Sequence, residues 1–509
     1  MPEKSSRPPL TIRDMVFFNG QDQNAIAVED LDGRKTTYGQ LHDHVRNVVG
    51  MLNGAGFRRN DRIAIALPSG PEMAVAVVAL TCGFTTIPLN PNQMALEYDR
   101  YLQDVHARAL LVEKGSELAV RKVAKDLGVE IIELIKSEDG RAGIFSLAGF
   151  DSIGEHDPEF AKPEDIAYIL STSGTTFKPK IVPWTHSMIC WAIYYHQLSL
   201  PLTPSDRALI LNPLFHAAGL NNIYRPLYAG GTIICSPGFQ RSEFFRWIDQ
   251  TRPTIYSAVP AVQQSIIEMA KENMDVISRS RLRLILAGTT SLPSKTFKEL
   301  EEVFGVPVVE SYGSTEAIAI GRSLPSMGHR LGALKPVAPE IEIMDENGNE
   351  LRQGELGEIA VRGPTVFKGY EDDAEANKAA FVDGWFRTGD LGYFDGEGYL
   401  HVAGRVKEMI NKGGEKVAPQ EIDNTLMEHP AVADAVTFPV PHQTLGEDVN
   451  TAIVLRGGEQ VTEGELRSFL FDRLTYFKVP TRIIFVKAIP KGVTGKANRS
   501  DMARMLGFL

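Results

Sequence analysis

Cysteine is scarce in this chain of 509 residues: Cys82, Cys190 and Cys235 are its three. None lies within a Cys-x-x-Cys pair, which argues against a disulfide framework and a structural zinc site. Long apolar runs are missing too. No stretch of about 18 or more apolar residues occurs, so no transmembrane helix or integral membrane association is expected. The first ten residues are polar and proline-containing, without the apolar stretch of a secretory leader. The terminal Gly507-Phe508-Leu509 is not a peroxisomal Ser-Lys-Leu address, and a reducing cytoplasm is the expected compartment. Positive charge is in deficit, with a net −11. Nucleic-acid binders neutralise phosphates with clustered Lys and Arg, so that class is not expected. There is no G-x-x-x-x-G-K-[ST] phosphate loop and no G-x-S-x-G nucleophile elbow, which removes P-loop and serine-hydrolase readings.

What is present is a globular profile, 43% hydrophobic and 23% charged, in a chain too long for one ordinary domain. Short apolar runs at 61–67, 166–170 and 282–286 read as buried strands, while 260–270 and 294–304 read as helices with one apolar face. Their alternation predicts an α/β fold with largely parallel sheets. After Glu340 the texture changes to short strands at 341–344, 357–362 and 398–402 between Gly-rich turns, predicting a small antiparallel sheet or barrel. The charged stretch 404–408 reads as a hinge between residues 1–404 and a unit at 405–509.

Ser171 to Val182, STSGTTFKPKIV, is the most informative segment. A strand there feeds a loop of hydroxyl residues and glycine, which can turn N–H groups and hydroxyls towards phosphate oxygens, with Lys180 adding positive charge. This loop resembles the phosphate loop of the adenylating superfamily, which includes acyl- and aryl-CoA synthetases, nonribosomal adenylation domains and luciferases. Further segments resemble the same family in order. They are Ser311-Tyr312-Gly313-Ser314-Thr315-Glu316, Trp385-Phe386-Arg387-Thr388-Gly389-Asp390, the 404–408 hinge, Asn411 to Lys416 around Gly413-Gly414, and the closing Thr494-Gly495-Lys496.

The resemblance implies two αβα-layered subdomains and a small β-barrel, capped by a mobile C-terminal α/β domain. It implies an acid–CoA ligase that uses ATP, Mg²⁺ and coenzyme A through an acyl-adenylate. It assigns nucleotide binding to Thr172, Ser173, Gly174, Thr175, Thr176, Lys180, Tyr312, Asp390 and Arg405. Glu316 would hold Mg²⁺, Thr315 would place the α-phosphate, and Lys496 would bridge carboxylate and phosphate. The chemistry needs such residues because two anions must meet, so catalysis is positioning and charge neutralisation. His216 would edge an acyl pocket walled by Asn221, Asn222, Arg225, Ala287, Gly288, Thr289, Gly313, Ser314, Ala317 and Ile318. Lys407 would be the hinge residue, and Gly413 and Gly414 would approach coenzyme A.

Two positions depart from the family pattern: Phe177 and Ile181 stand where glycine is usual, which predicts a stiffer or reshaped loop. Small or apolar residues after Glu316 favour a substrate with some hydrocarbon, whereas Asn221, Asn222 and Arg225 suit a second carboxylate or a hydroxyl. The acid is therefore open. So are a non-CoA acceptor (an amine or a carrier-protein thiol), a non-catalytic nucleotide-binding role, and a homodimer.

Overall fold

Strands buried on both faces need unbroken apolar runs, and Arg62–Ala66 (RIAIA) supplies one, buried at every position after the first. In the computed structural model, which describes residues 7–18, 20–150, 156–172, 179–288, 292–325, 332–337, 340–490 and 499–508, this strand lies at the centre of a seven-stranded sheet. The order is Phe145–Leu147, Glu130–Lys136, Ala109–Glu113, Arg62–Ala66, Thr85–Pro88, Ile166–Thr172, Lys180–Thr185. The inner pairings are parallel. The last pair is antiparallel and sets Thr172 opposite Lys180.

A second sheet contains the parallel strands Ile26–Asp30, Thr232–Cys235, Arg207–Ile210, Ile255–Ala258, Leu284–Gly288 and Val308–Tyr312, in that spatial order. Beyond Tyr312 the path turns antiparallel through Gly321–Arg322, Ala333–Pro336, Leu400–Arg405, Trp385–Phe394, Gly357–Arg362 and Glu340–Met344. The antiparallel strands expected after Glu340 thus continue the parallel sheet, and the change of direction comes earlier than the Gly-rich turns suggest. The helices expected at 260–270 and 294–304 form as Pro260–Ala270 and Ser294–Phe304. Proline at the first turn and the left-handed Gly305 after the last fix their ends.

One apolar core joins the two sheets, running from Ile63 and Tyr168 through Leu220 to Ala317, Ile359 and Leu400. The C-terminal region has its own cores, among them Ile410, Val417, Ile422, Val449 and Leu466, with no residue from before Ile410. They flank a sheet ordered Glu415–Val417, Ile410–Lys412, Gly446–Leu455, Val432–His442, with Arg482–Phe485 parallel to Gly446–Leu455. This is a separate C-terminal domain. Gly413 and Gly414, at φ of 63° and 95°, form its first hairpin turn, a backbone shape that glycine takes without side-chain clash.

No helix among the described residues is long and apolar enough to cross a membrane. Cys82, Cys190 and Cys235 are all buried and unpaired.

Candidate active site

Ligand clefts in open α/β sheets form beyond the carboxyl ends of parallel strands. Val308–Tyr312 ends there, and the loop after it carries Thr315 and Glu316. The loop is pinned by its own hydrogen bonds: Ser314 N–H to the Ala317 carbonyl at 2.8 Å, Ala317 N–H to Ser314 Oγ at 3.1 Å, and Ile320 N–H to the Tyr312 carbonyl at 3.0 Å. Ala319 turns the chain back with φ of 59°, a conformation an alanine adopts only when its surroundings impose it. From the first sheet, Trp184 Nε1–H donates to the Thr315 carbonyl at 2.6 Å. The two sheets therefore meet at this loop.

Two carboxylates flank it. Glu316 Oε1 accepts from the Tyr370 hydroxyl at 3.0 Å, and Lys180 Nζ lies 4.3 Å from the centre of the Tyr370 ring. Tyr370 thus joins the lysine that follows the phosphate-loop segment to the carboxylate expected to hold a cation. Burial, and after it the Glu316 charge, push the Tyr370 phenol above its ordinary range, so it remains a hydrogen-bond donor. Asp390, buried at 7% exposure, accepts from the Tyr312 hydroxyl at 2.8 Å and from Arg405 Nε at 2.9 Å. Strand register dictates this pairing, because Asp390 on Trp385–Phe394 lies directly across from Arg405 on Leu400–Arg405. Burial raises the Tyr312 phenol, and Asp390 adds to it.

The residues expected to wall an acyl pocket gather on and around the helix Ala217–Ala229, with His216 as its N-cap. His216 is exposed and lies against Phe215, ring centres 4.5 Å apart. Gly219 has no alternative, since a Cβ there would stand 2.1 Å from the Pro213 carbonyl oxygen. Behind the strand ends lies a narrow cavity lined by Ile193, His196, Asn222, Arg225, Tyr256 and Leu286, among others. Asn222 donates to Asn212 Oδ1 at 3.0 Å, while Asn221 Oδ1 is buried without a partner among the described residues. Ala287 and Gly288 end the strand that borders the cavity, and Gly313 and Ser314 belong to the loop.

The other expected residues are placed as follows. Ala317 and Ile318 belong to the shared core, at 0% and 3% exposure. Ile318 N–H donates to the Thr365 carbonyl at 3.0 Å. Ile181 is likewise a core residue of the first sheet, paired with Ser171, so its bulk fills a strand position. Lys407 is exposed in the turn Val406–Glu408. Ser173, Gly174, Thr175, Thr176, Phe177, Thr289 and Lys496 lie outside the described residues. Four residues that sequence reasoning passed over converge here: Trp184, His196, Arg322 and Tyr370. None sits inside a recognisable motif, and a tyrosine at 370 or an arginine at 322 carries no local signal.

Comparison with known proteins gives a consistent result. The family described as AMP-binding enzyme matches residues 18–371, and its C-terminal domain matches residues 421–496. An oxalate–CoA ligase of Arabidopsis thaliana is 36% identical over 478 residues, covering 92% of this chain and 93% of the relative. A 2-succinylbenzoate–CoA ligase of Bacillus licheniformis is 33% identical over 473 residues, covering 92% and 94%. Among solved structures, ATP-bound MatB from Rhodopseudomonas palustris superposes with a TM-score of 0.86 at 27% identity, covering 98% of each chain.

Proposed function

The chain belongs to the AMP-binding enzyme family and is an acid–CoA ligase, and from that premise we propose how its residues divide the work. A small carboxylic acid attacks the α-phosphate of ATP, giving an acyl-adenylate and pyrophosphate. The thiol of coenzyme A then attacks the acyl carbon, giving the thioester and AMP. The carrying observation is that one short segment, Tyr312 to Glu316, connects two differently equipped carboxylates. Asp390, oriented by Tyr312 and Arg405, accepts the ribose hydroxyls. Glu316, with Lys180 close by across Tyr370, faces the phosphates.

The residues present fit a magnesium ion. Glu316 forms no ion pair with a described residue and uses one oxygen on a neutral phenol, which leaves a hard oxygen donor. Mg²⁺ keeps most of its shell as water and phosphate oxygen, so one protein carboxylate suffices. Its charge would offset the repulsion between the attacking carboxylate and the phosphates. Thr172 and Thr315 supply polar groups from the two sheets, and Lys496 supplies the cation at the reacting oxygens. The hinge at 404–408 then lets the C-terminal domain exchange Lys496 for the Gly413-Gly414 turn. We assign the domain boundary to this stretch because the C-terminal core begins at Ile410.

The test is pyrophosphate release with a panel of carboxylic acids, with and without coenzyme A. Acid-dependent release with thioester formation is expected. Acid-dependent release with the acyl group passing to an amine instead would overturn the acceptor, and no acid dependence would overturn the ligase reading.

A further inference from the structure

The strand that leaves the phosphate-loop segment, Lys180–Thr185, sends its side chains to two different cores. Ile181 belongs to a core of the first sheet alone, whereas Val182 and Trp184 belong to the core that joins the two sheets. Alternation along a strand puts Lys180, Val182 and Trp184 on one face. That face meets the Thr315–Glu316 pair twice. Trp184 Nε1–H donates to the Thr315 carbonyl at 2.6 Å, and Lys180 lies against the Tyr370 ring, whose hydroxyl donates to Glu316.

The other backbone bonds of this loop come from the second sheet's side. Ser314 and Ala317 bond to each other, the Glu316 carbonyl accepts from the Phe367 N–H at 2.8 Å, and Ile318 N–H donates to the Thr365 carbonyl. Thr315 is where the first sheet takes hold. The donor there is rigidly placed. Trp184 is 1% exposed and pairs across the strands with Tyr168, the two rings at 84° with centres 6.4 Å apart. The Tyr168 hydroxyl in turn meets the Tyr224 hydroxyl on the helix Ala217–Ala229. Burial of an indole does not by itself call for such a bond. Trp247 is 2% exposed, with its Nε1 unpaired among the described residues. At Trp184 the donor is aimed at one peptide of a loop that belongs to the other sheet.

We propose that Trp184 is a positioning residue for adenylation: its indole N–H fixes the Thr315 peptide, so that Thr315 and Glu316 keep a constant placement relative to Lys180. This rests on the ligase reading above, which puts these three residues at the phosphates, and adds a residue that lies in none of the motifs. Charge neutralisation works best when the groups are in place before the reaction begins, because a group that must first be ordered loses part of its interaction to that ordering. Lys180 and Glu316 come from different sheets, and any slip between the sheets moves one against the other. Trp184 sits on the same strand as Lys180 and bonds to the residue before Glu316. It therefore ties the two placements together, acting through Thr315.

The experiment replaces Trp184 with its benzothienyl analogue, which keeps the ring shape and exchanges the N–H for sulfur, and uses Trp184→Phe as the encoded counterpart. Binding of ATP with magnesium and binding of adenosine are measured by calorimetry, and adenylation is followed as a single turnover. One neutral hydrogen bond carries about fivefold in an equilibrium or a rate. The analogue should therefore bind ATP about fivefold more weakly and form adenylate about fivefold more slowly, at full amplitude. Adenosine carries base and ribose without phosphate, so its affinity should stay unchanged. Full amplitude and unchanged adenosine binding also certify the fold, and the analogue decides the matter if Trp184→Phe does not fold. Three results would each overturn the proposal: equal loss of ATP and adenosine binding, a lowered amplitude with an unchanged rate constant, or an analogue indistinguishable from the wild type. Neither binding measurement needs an acid, so the two readings fail separately. Selective loss of ATP affinity in the analogue, with no pyrophosphate released by the wild type from any acid, leaves the hold on the phosphate-facing loop standing and removes the ligase.

Discussion

The two ends of the cleft handle charge in opposite ways. On the nucleotide side each charged group already has a partner within the protein: Asp390 has Tyr312 and Arg405, Glu316 has the Tyr370 hydroxyl, and Lys180 has the Tyr370 ring. Around the cavity beside the helix Ala217–Ala229, Arg225 and Arg322 have no carboxylate partner among the described residues. A partnered charge is preorganised and tolerates an empty site. An unpartnered one needs the ligand to complete it. The first arrangement suits a nucleotide common to every member of the family, and the second suits a substrate that distinguishes one member from another.

The largest expected effect breaks both ends together, because both depend on the N-terminal core. His186 is fully buried, with Nδ1 accepting from the Ile12 N–H at 3.3 Å and Nε2 unpaired among the described residues. His44 is also buried with Nε2 unpaired among the described residues, its ring edge-on to Phe145. Burial lowers each to about 4 from an ordinary 6.5. Between those values the unfolded chain binds protons that the folded one excludes. Stability is therefore full above pH 6.5 and falls as the pH drops towards 4, by about 3 kcal/mol per histidine at 1.4 kcal/mol per unit. Urea unfolding across this range should show the slope, and His186→Gln should flatten it. An unchanged slope would show that the ring is protonated in the fold.

Next in size is Lys496→Ala. A single preorganised cation aimed at developing charge contributes about 10²–10³ in rate, so adenylate formation should fall by that factor. Thioester formation from supplied acyl-adenylate should persist, since the role proposed for the lysine is confined to where carboxylate and phosphate meet. Equal loss in both half-reactions would assign Lys496 to stability instead.

Asp390→Ala sharpens the comparison from the nucleotide end. Charge-assisted hydrogen bonds contribute about 1.5–3 kcal/mol each, so ATP binding measured by calorimetry should weaken at least tenfold. Binding of the acid should not change. Loss of acid binding as well would mean the two ends are not independent.

The smallest effect is expected for Tyr370→Phe, which deletes the hydroxyl on Glu316 but keeps the ring beside Lys180. The cost should be about 1 kcal/mol, that of one hydrogen bond, and it should appear as a higher magnesium requirement in the adenylation rate. An unchanged magnesium dependence would mean that Tyr370 does not orient Glu316.

The sequence by itself determined the α/β alternation, helices such as Pro260–Ala270, and the positions of Asp390, Glu316 and the Gly413-Gly414 turn. These depend on short-range patterns: apolar periodicity, end signals, and motifs in which the functional atoms lie within a few residues of one another. It misread Ile181 as a feature of the phosphate loop, because bulk at a glycine position looks the same whether it closes a loop or fills a core. That the left-handed turn at Ala319 folds Ala317 and Ile318 into the core between the sheets is likewise invisible in the local sequence. Only the tertiary structure brings His196, Asn222 and Arg225 to the lining of one cavity. His196, Arg225 and Arg322 come from two helices and a short antiparallel strand, as much as 126 residues apart, and whether a charge is partnered depends on which segments the fold brings within hydrogen-bonding distance.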